Sequence, residues 1–418
     1  MTDIDKENNN MSKAPNRIPK LRFPGFGGEW MVKKLREIVE KVNAKNKTNK
    51  VQLVFSNSAV QGIVLQNEYF DKSIANKDNL TEYYIVKPFD FVYNPRISSN
   101  AKVGAMSVNR TEKTGLVSPL YTVFRLNSNL FNNSFIEMRF KSKVWHNYMR
   151  SIANYGARDD RMNIKSDDFF ALPIKAPSYK EQVKVASFLS LIDSRIQTQN
   201  KIIEQLETLI MGLMGKLFSQ KIGFKEFKHS WKLKKLGEIF YSEKGHGLSK
   251  DKLTINGKYE CVLYGELYTR YKEEIFNVIS KTNEEGGLKS QIGDLLIPSS
   301  TTTSGIDLAN VTAINKENVI LGGDITVLRS KEKINNVFYS YYLSNYKKEI
   351  IASYAQGSTI VHLYYNHIKN MLIDFPSFEE QTKIANFLSS INLKIELENQ
   401  LLQKLEEQKK FLLQNMFI

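Results

Sequence analysis

The chain repeats itself at a spacing of about 200 residues, and this repeat constrains its fold more than any other feature. Trp30 is followed by Lys33, Lys34, Leu35, Glu37 and Ile38; Trp231 is followed by Lys234, Lys235, Leu236, Glu238 and Ile239. Further on, Pro177-Ser178-Tyr179-Lys180-Glu181-Gln182 returns as Pro376-Ser377-Phe378-Glu379-Glu380-Gln381, and Phe188-Leu189-Ser190 as Phe387-Leu388-Ser389. A period this long is no solenoid; it is a tandem duplication of one module. The order within each module is the same, so both copies are expected to share one fold.

Each module has two parts. The first carries short β-branched and aromatic runs broken by Gly, Asn, Pro and Ser, which read as strands: 89–93, 120–126, 259–264 and 325–328. Helical stretches are expected near 135–153 and 337–354, so each head is a mixed α/β domain and the chain as a whole is α+β. The second part reads as one long helix. From Gln182 an apolar seam runs Val185, Leu189, Ile192, Ile196, Gln199, Ile203, Leu206, Ile210, Leu213, Leu217. From Gln381 it runs Ile384, Leu388, Ile391, Ile395, Glu398, Leu402, Leu405, Lys409, Leu412, Met416. Steps of four and three alternate, which is a heptad seam. A lone helix would leave such a stripe exposed, so the two helices are expected to pair as an antiparallel coiled coil with pseudo-two-fold symmetry. Gln199 and Glu398 interrupt the seams near their middles. They read either as a register-fixing polar layer or as half-exposed seam positions.

These readings divide the chain into a polar tail over 1–18, a first head over 19–176, a central helix over 177–220, a second head over 221–375 and a C-terminal helix over 376–418. Charge follows the same division. The formal net charge of the chain is +15. Residues 21–178 carry +10 of it and residues 218–377 carry +4, while the helices are close to neutral. Two basic heads on neutral helices suit a polyanion such as DNA. No run of about 18 apolar residues marks a membrane span, and the polar start has no apolar secretory core. The single Cys261 excludes a disulfide framework and a multi-cysteine zinc site. The cytoplasm is the expected compartment.

Motifs for catalysis are missing. Gly215-Lys216 and Gly257-Lys258 precede Leu and Tyr, so neither ends a phosphate-binding loop. Tyr93-Asn94-Pro95-Arg96 lacks the second proline and the aromatic of an amino-methyltransferase loop and reads as a strand end. Gly25-Phe26-Gly27-Gly28 reads as a turn. His362 and His367 lack the intervening Glu of a zinc-protease helix, and no metal site is expected. Asp159-Asp160 and Asp167-Asp168 have no counterpart in the second module and read as a loop and a helix start.

What remains is binding chemistry. The candidates are Arg96, Ser98, Asn100 and Lys102 after a strand, with Arg158 and Arg161 beyond Gly156. In the second module they are Ser300, Thr301 and Thr302, then Ser358 and Thr359 beside Gly357, and the cluster Tyr268, Arg270 and Tyr271. Arginine can read guanine bidentately, and hydroxyls commonly hold phosphates. A solvated loop side chain is the competing reading for each.

The chain resembles the specificity subunits of type I restriction–modification systems. The residues that carry the resemblance are Pro19-Lys20-Leu21-Arg22-Phe23-Pro24-Gly25-Phe26, Glu29-Trp30, Lys34-Leu35, Val117-Ser118-Pro119-Leu120-Tyr121 and Tyr264-Gly265-Glu266-Leu267-Tyr268, with the twin helix starts Glu181-Gln182 and Glu380-Gln381. The resemblance implies two target recognition domains, each reading one half of a split DNA sequence, and a helix pair acting as spacer. It implies a non-catalytic subunit that docks two modification (methyltransferase) and two restriction subunits. S-adenosylmethionine, ATP and magnesium are then expected in those partners and no cofactor in this chain. A stand-alone bivalent DNA-binding regulator is the alternative.

Overall fold

A computed structural model describes residues 17–66, 77–154 and 160–418. The chain forms two compact units. One holds the described residues up to Asn200 together with Leu401–Ile418, and the other holds Lys201–Gln400. Each is taken by itself below.

The first unit is built on a four-stranded antiparallel sheet. Its strands, in spatial order, are Val39–Lys41, Thr122–Leu126, Phe91–Asn94 and Ala105–Val108. Phe91, Val92 and Phe124 are fully buried. Phe91 and Phe124 stack at 5.1 Å across the two central strands. A separate ribbon pairs Met31–Lys34 with Pro173–Ala176, bringing the start of the head against its end. The helix Asn133–Lys141 begins at Asn132, whose side chain accepts from Phe135 N at 3.0 Å, an N-cap that satisfies one orphan donor.

The second unit repeats this plan. Its main sheet orders Phe240–Lys244, Ile325–Ser330, Asp294–Pro298, Thr312–Ile314 and Glu274–Ile275. The first four match the strands of the first unit one for one. The ribbon returns as Lys232–Lys235 against Leu372–Phe375, and Asn335 caps the helix Asn336–Tyr341 through Phe338 N at 3.0 Å.

The Glu-Gln motif has a structural role in both units. Gln182 is fully buried; it accepts from Asn132 N and donates to Pro177 O, each at 2.9 Å. Gln381, equally buried, accepts from Asn335 N at 2.8 Å and donates to Pro376 O at 2.9 Å. Each amide ties the head's helix cap to the first turn of a long helix, so the repeated glutamine fastens head to helix.

The long helices run Tyr179–Phe218 and Phe378–Asn415. In the first unit Val185, Leu189 and Ile192 share a core with Leu412, Leu413 and Met416, with Ile196 packed against it; Gln199 and Leu405 are also buried. In the second unit Ile210, Met214 and Leu217 share a core with Ile384, Leu388 and Ile395, with Leu206 and Ile391 packed against it, and Ile203 is buried. The start of one helix therefore meets the end of the other in each unit, which is antiparallel pairing. Leu402 is half-buried, and Glu398 forms an ion pair with Lys394 at 2.5 Å.

The heads differ locally from the sequence reading. The stretch 135–153 is two helices, Asn133–Lys141 and His146–Ile152. Ser142 breaks it: its backbone is extended and its hydroxyl donates back to Arg139 O at 2.6 Å. The stretch 337–354 is interrupted by a π turn over Tyr342–Tyr346. Phe89 stands at φ 67° in a turn, outside its expected strand. Leu120 likewise precedes its strand, and the strand at Tyr259 ends at Val262.

Candidate nucleic-acid interface

In the first unit the backbone places two of the candidate arginines together. Strand Phe91–Asn94 ends, and two residues later Arg96 pairs with Arg161 in a single antiparallel bridge. Ile97 N donates to Asp160 O at 2.8 Å and Met162 N to Pro95 O at 3.0 Å. Beyond the bridge, Ser98 and Ala101 close a tight turn through reciprocal backbone bonds of 3.1 Å. Arg96, Ser98, Asn100, Lys102 and Arg161 are all exposed. Arg158 lies outside the described residues. Beside the bridge a cleft of about 480 Å³ is lined by Arg161, Lys41, Tyr93 and Thr122 among others. Tyr121 lies near both guanidiniums. Burial raises its pKa, while bonds from Ser56 and Asn57 and the charges of Arg161 and Arg96 pull it back. The result is a cationic edge next to a partly apolar cleft.

The second unit builds the same bridge with other side chains. Strand Asp294–Pro298 ends, and two residues later Ser300 pairs with His362 and Thr301 with Val361. Ser300 thus holds the place of Arg96, and His362 that of Arg161. Ser300 and Thr301 are buried, contrary to an open hydroxyl loop. Ser300 donates to Asp324 at 2.9 Å, and Thr301 shares a 2.8 Å bond with Thr303. Only Thr302 of this run of three is exposed. Ser358 and Thr359 sit exposed on a hairpin closed by Gln356 and His362. Gly357 makes that hairpin possible: its φ is +126°, and a Cβ would stand 2.1 Å from Ile360 O.

The sequence reading missed the aromatic side of this hairpin. The His362 ring stacks on Tyr364 at 5.5 Å, and Tyr364 Oη lies 3.0 Å from His362 Nδ1. His367 meets Tyr364 edge-on at 5.4 Å, and Lys244 Nζ stands 6.0 Å from the Tyr364 ring. The spacing of His362 and His367 tests them only as metal ligands and does not show this stack. Among the described residues no group of three or more His, Cys, Asp or Glu could hold a metal.

Tyr268, Arg270 and Tyr271 lie elsewhere. Tyr268 lies in the short helix Glu266–Thr269 and the other two follow it; Arg270 donates to Glu266 at 3.3 Å and the Tyr271 hydroxyl accepts from Ile279 N at 3.1 Å. Burial raises the Tyr271 pKa. Tyr268 and Tyr271 line a cleft of about 370 Å³ with Met211, Met214, Asn392 and Ile395 of the long helices. This cluster faces helices, unlike the bridge residues.

The fold and its paired bridges define a class: a tandem protein with two like-built heads, each fastened to a long helix. Comparison with known proteins narrows it. The family described as type I restriction modification DNA specificity domain matches residues 228–407, the second head and most of its helix. The chain is 23% identical over 410 residues to the putative type I restriction enzyme MjaX specificity subunit of Methanocaldococcus jannaschii, covering 91% of each. It is 26% identical over 258 residues to the MjaVIII specificity subunit of the same organism, covering 58% of this chain and 60% of that one. Among solved structures, its fold is similar to that of the type I restriction–modification S subunit from M. genitalium. The TM-score is 0.57 at 18% identity, over 96% of this chain and 99% of the other. A chain from a type I R-M complex gives a TM-score of 0.58 at 14% identity, over 96% and 98%. In sequence and in fold the chain is similar to the specificity subunits of type I restriction–modification systems.

Proposed function

We propose that this chain reads a bipartite double-stranded DNA target, one half with each head, and carries no catalytic centre of its own. The observation that carries this reading is the pair of equivalent bridges. Arg96 and Arg161 in one unit stand where Ser300 and His362 stand in the other. One backbone frame that presents two guanidiniums in one unit and the His362–Tyr364 pair in the other suits the reading of two different half-sites, since base edges are distinguished by donor and acceptor pattern. The basic excess of both heads supplies phosphate attraction.

The long helices serve as spacer and as docking surface. Leu191, Leu209, Met211, Leu393 and Leu397 are each more than half exposed, although they lie on helices whose seams are buried. Apolar surface beyond what the cores use fits partner subunits. The partners in this reading are two modification subunits, which supply S-adenosylmethionine chemistry, and two restriction subunits, which use ATP and magnesium. Among the described residues no helix is long and apolar enough to cross a membrane, and the complex works in the cytoplasm.

Sequencing of methylated bases in host DNA, with and without this gene, tests the reading. A split motif should be methylated only when the gene is present. An unchanged methylation pattern, with DNA bound by the chain alone, would favour a stand-alone regulator.

A further inference from the structure

Residues 21–30 and 222–231 align without a gap: Phe23 with Phe224, Phe26 with Phe227, Trp30 with Trp231. Each segment lies on the start of a long helix in the same way. Phe23 meets Phe188 edge-on at 5.4 Å, and Lys184 Nζ stands 5.6 Å from its ring. Phe224 meets Phe387 edge-on at 6.0 Å, and Lys383 Nζ stands 5.4 Å from its ring.

One part of this arrangement is present in the first unit alone. There Arg22 Nε and Nη2 donate to the two carboxylate oxygens of Glu181 at 2.8 and 2.7 Å. Its Nη1 and Nη2 also donate to the carbonyls of Gly28 and Gly27 at 2.6 and 2.7 Å. A bidentate carboxylate and two carbonyls enclose a planar fork, which suits guanidinium far better than ammonium. In the second unit the carboxylate is Glu380, and the residue aligned with Arg22 is Gly223. A Cβ on Gly223 would meet nothing within 4 Å. Lys228 and His229 take the places of the two glycines.

Glu380 is nonetheless only 8% exposed. Burial raises its pKa, against a bond from the Trp231 side chain, and among the described residues it forms no ion pair. It lines two clefts, of about 530 and 420 Å³, which also share Phe227, His229, Ser230 and Trp231. A buried carboxylate without a cation is costly unless it is protonated or paired. The second module has the socket without an arginine to fill it.

We propose that the socket beside Glu380 binds a guanidinium group brought by another molecule, in the way Glu181 holds Arg22. Residues 1–16 contain no arginine, and Arg17 pairs with Glu29 at 3.5 Å. An arginine side chain of a partner protein and a free arginine-like solute share the chemistry.

The chain has three tryptophans, so the Trp231 indole N–H is a resolvable reporter in the full-length protein. N-acetyl-argininamide should shift its NMR resonance saturably, at least tenfold more tightly than N-acetyl-lysinamide. Gly223→Arg should move that resonance before any addition and abolish the response, and Glu380→Gln should abolish it with position 223 unchanged. No saturable shift in the wild type, equal binding of the lysine probe, or a full response in Gly223→Arg would overturn the proposal. None of these measurements depends on the proposed DNA function. Repeating the titration on the chain assembled with its modification subunit identifies the source. A blocked socket assigns the guanidinium to the partner, and a socket still open assigns it to a small solute.

Discussion

Arg329 holds Asp294 through two hydrogen bonds, Nε to Oδ1 at 3.0 Å and Nη2 to Oδ2 at 3.2 Å, between neighbouring strands of the second unit's sheet. Arg125 and Asp90 make the equivalent pair in the first unit, at 2.7 and 2.9 Å. Both aspartates also accept from the backbone three residues earlier, at Gln291 and Lys87. The pairs differ in burial. The Arg329 side chain is 9% exposed and that of Arg125 is 36% exposed, over carboxylates that are nearly or fully buried.

Removing either arginine strands a buried carboxylate, but water reaches only one of the sites easily. Arg329→Ala should cost about 3–5 kcal/mol, the range for breaking a buried pair. Arg125→Ala should cost less, roughly 1.5–3 kcal/mol. Denaturant unfolding followed by amide exchange in each unit checks this; equal losses would show that burial does not set the difference.

The bridge residues give a prediction about recognition. Arg161→Ala should weaken DNA binding of the assembled complex by about 1–3 kcal/mol and relax one base position if the guanidinium reads a guanine edge. If it holds a phosphate, the loss should be uniform across sequences, with a salt slope shallower by about one. His362→Ala should act on the other half-site alone. Affinities measured on DNAs altered in one half at a time separate these outcomes, and either substitution changing both halves would contradict one head per half.

The architecture was legible because the repeat and the heptad seams are long-range, redundant signals. Most of the seam from Leu189 to Leu217 and of its partner from Leu388 to Met416 is buried, while Ile196, Leu206, Leu213, Ile391, Glu398, Leu402 and Lys409 are half-buried. The twin Glu-Gln starts were visible, but the role of Gln182 was not, because its partners Asn132 and Leu130 lie some fifty residues away. The candidate interface was harder to read for the same reason. Arg96 and Arg161 meet through a bridge between distant segments. Ser300 and Thr301 looked like free hydroxyls because composition does not show that Asp324 and Thr303 bond them. His362 and Tyr364 are only two residues apart, and the signal was there; testing those histidines for metal spacing alone passed over the aromatic stack.

His146 makes the first unit acid-sensitive. Burial first, then the charges of Arg150 and Lys143, lowers its pKa from 6.5 to about 4. The unfolded chain takes up this proton near pH 6.5 and the folded chain only near 4. Between these values the unfolded state binds more protons, so stability falls as pH falls. This contribution is complete above the unfolded pKa and lost by the folded one. Unfolding midpoints of the wild type and His146→Phe, compared from pH 7 to 4, should diverge, with the variant showing the shallower decline. Parallel curves would remove His146 as the cause.

The two seam isoleucines should not respond alike to charge. Ile395 is 3% exposed within the second unit's core, so Ile395→Asp should cost about 3–5 kcal/mol. Ile196 is half-buried on a cleft with Lys141, Lys409 and Lys410. An aspartate there has cations and water at hand, so Ile196→Asp should cost less, about 1–2 kcal/mol. Unfolding of the full chain ranks them, and the reverse order would mean that the seam's packing differs from that described.

The helix pair as spacer makes a claim about length. The central helix has 40 residues, or about 60 Å at 1.5 Å per residue. That exceeds the roughly 34 Å between successive major-groove faces, so two short half-sites about one helical turn apart, with unread bases between, are expected. Inserting one heptad after Gln199 keeps the stripe in phase and adds up to about 10 Å. At 3.4 Å per base pair that is at most about three pairs, and fewer where the unlengthened C-terminal helix resists. The half-sites should stay the same, because the heads are untouched, while the gap grows by roughly one to three pairs. Mapping methylated sites in cells that carry the insertion with the modification subunit reads both quantities at once. An active variant with altered half-sites and the original gap would refute the spacer.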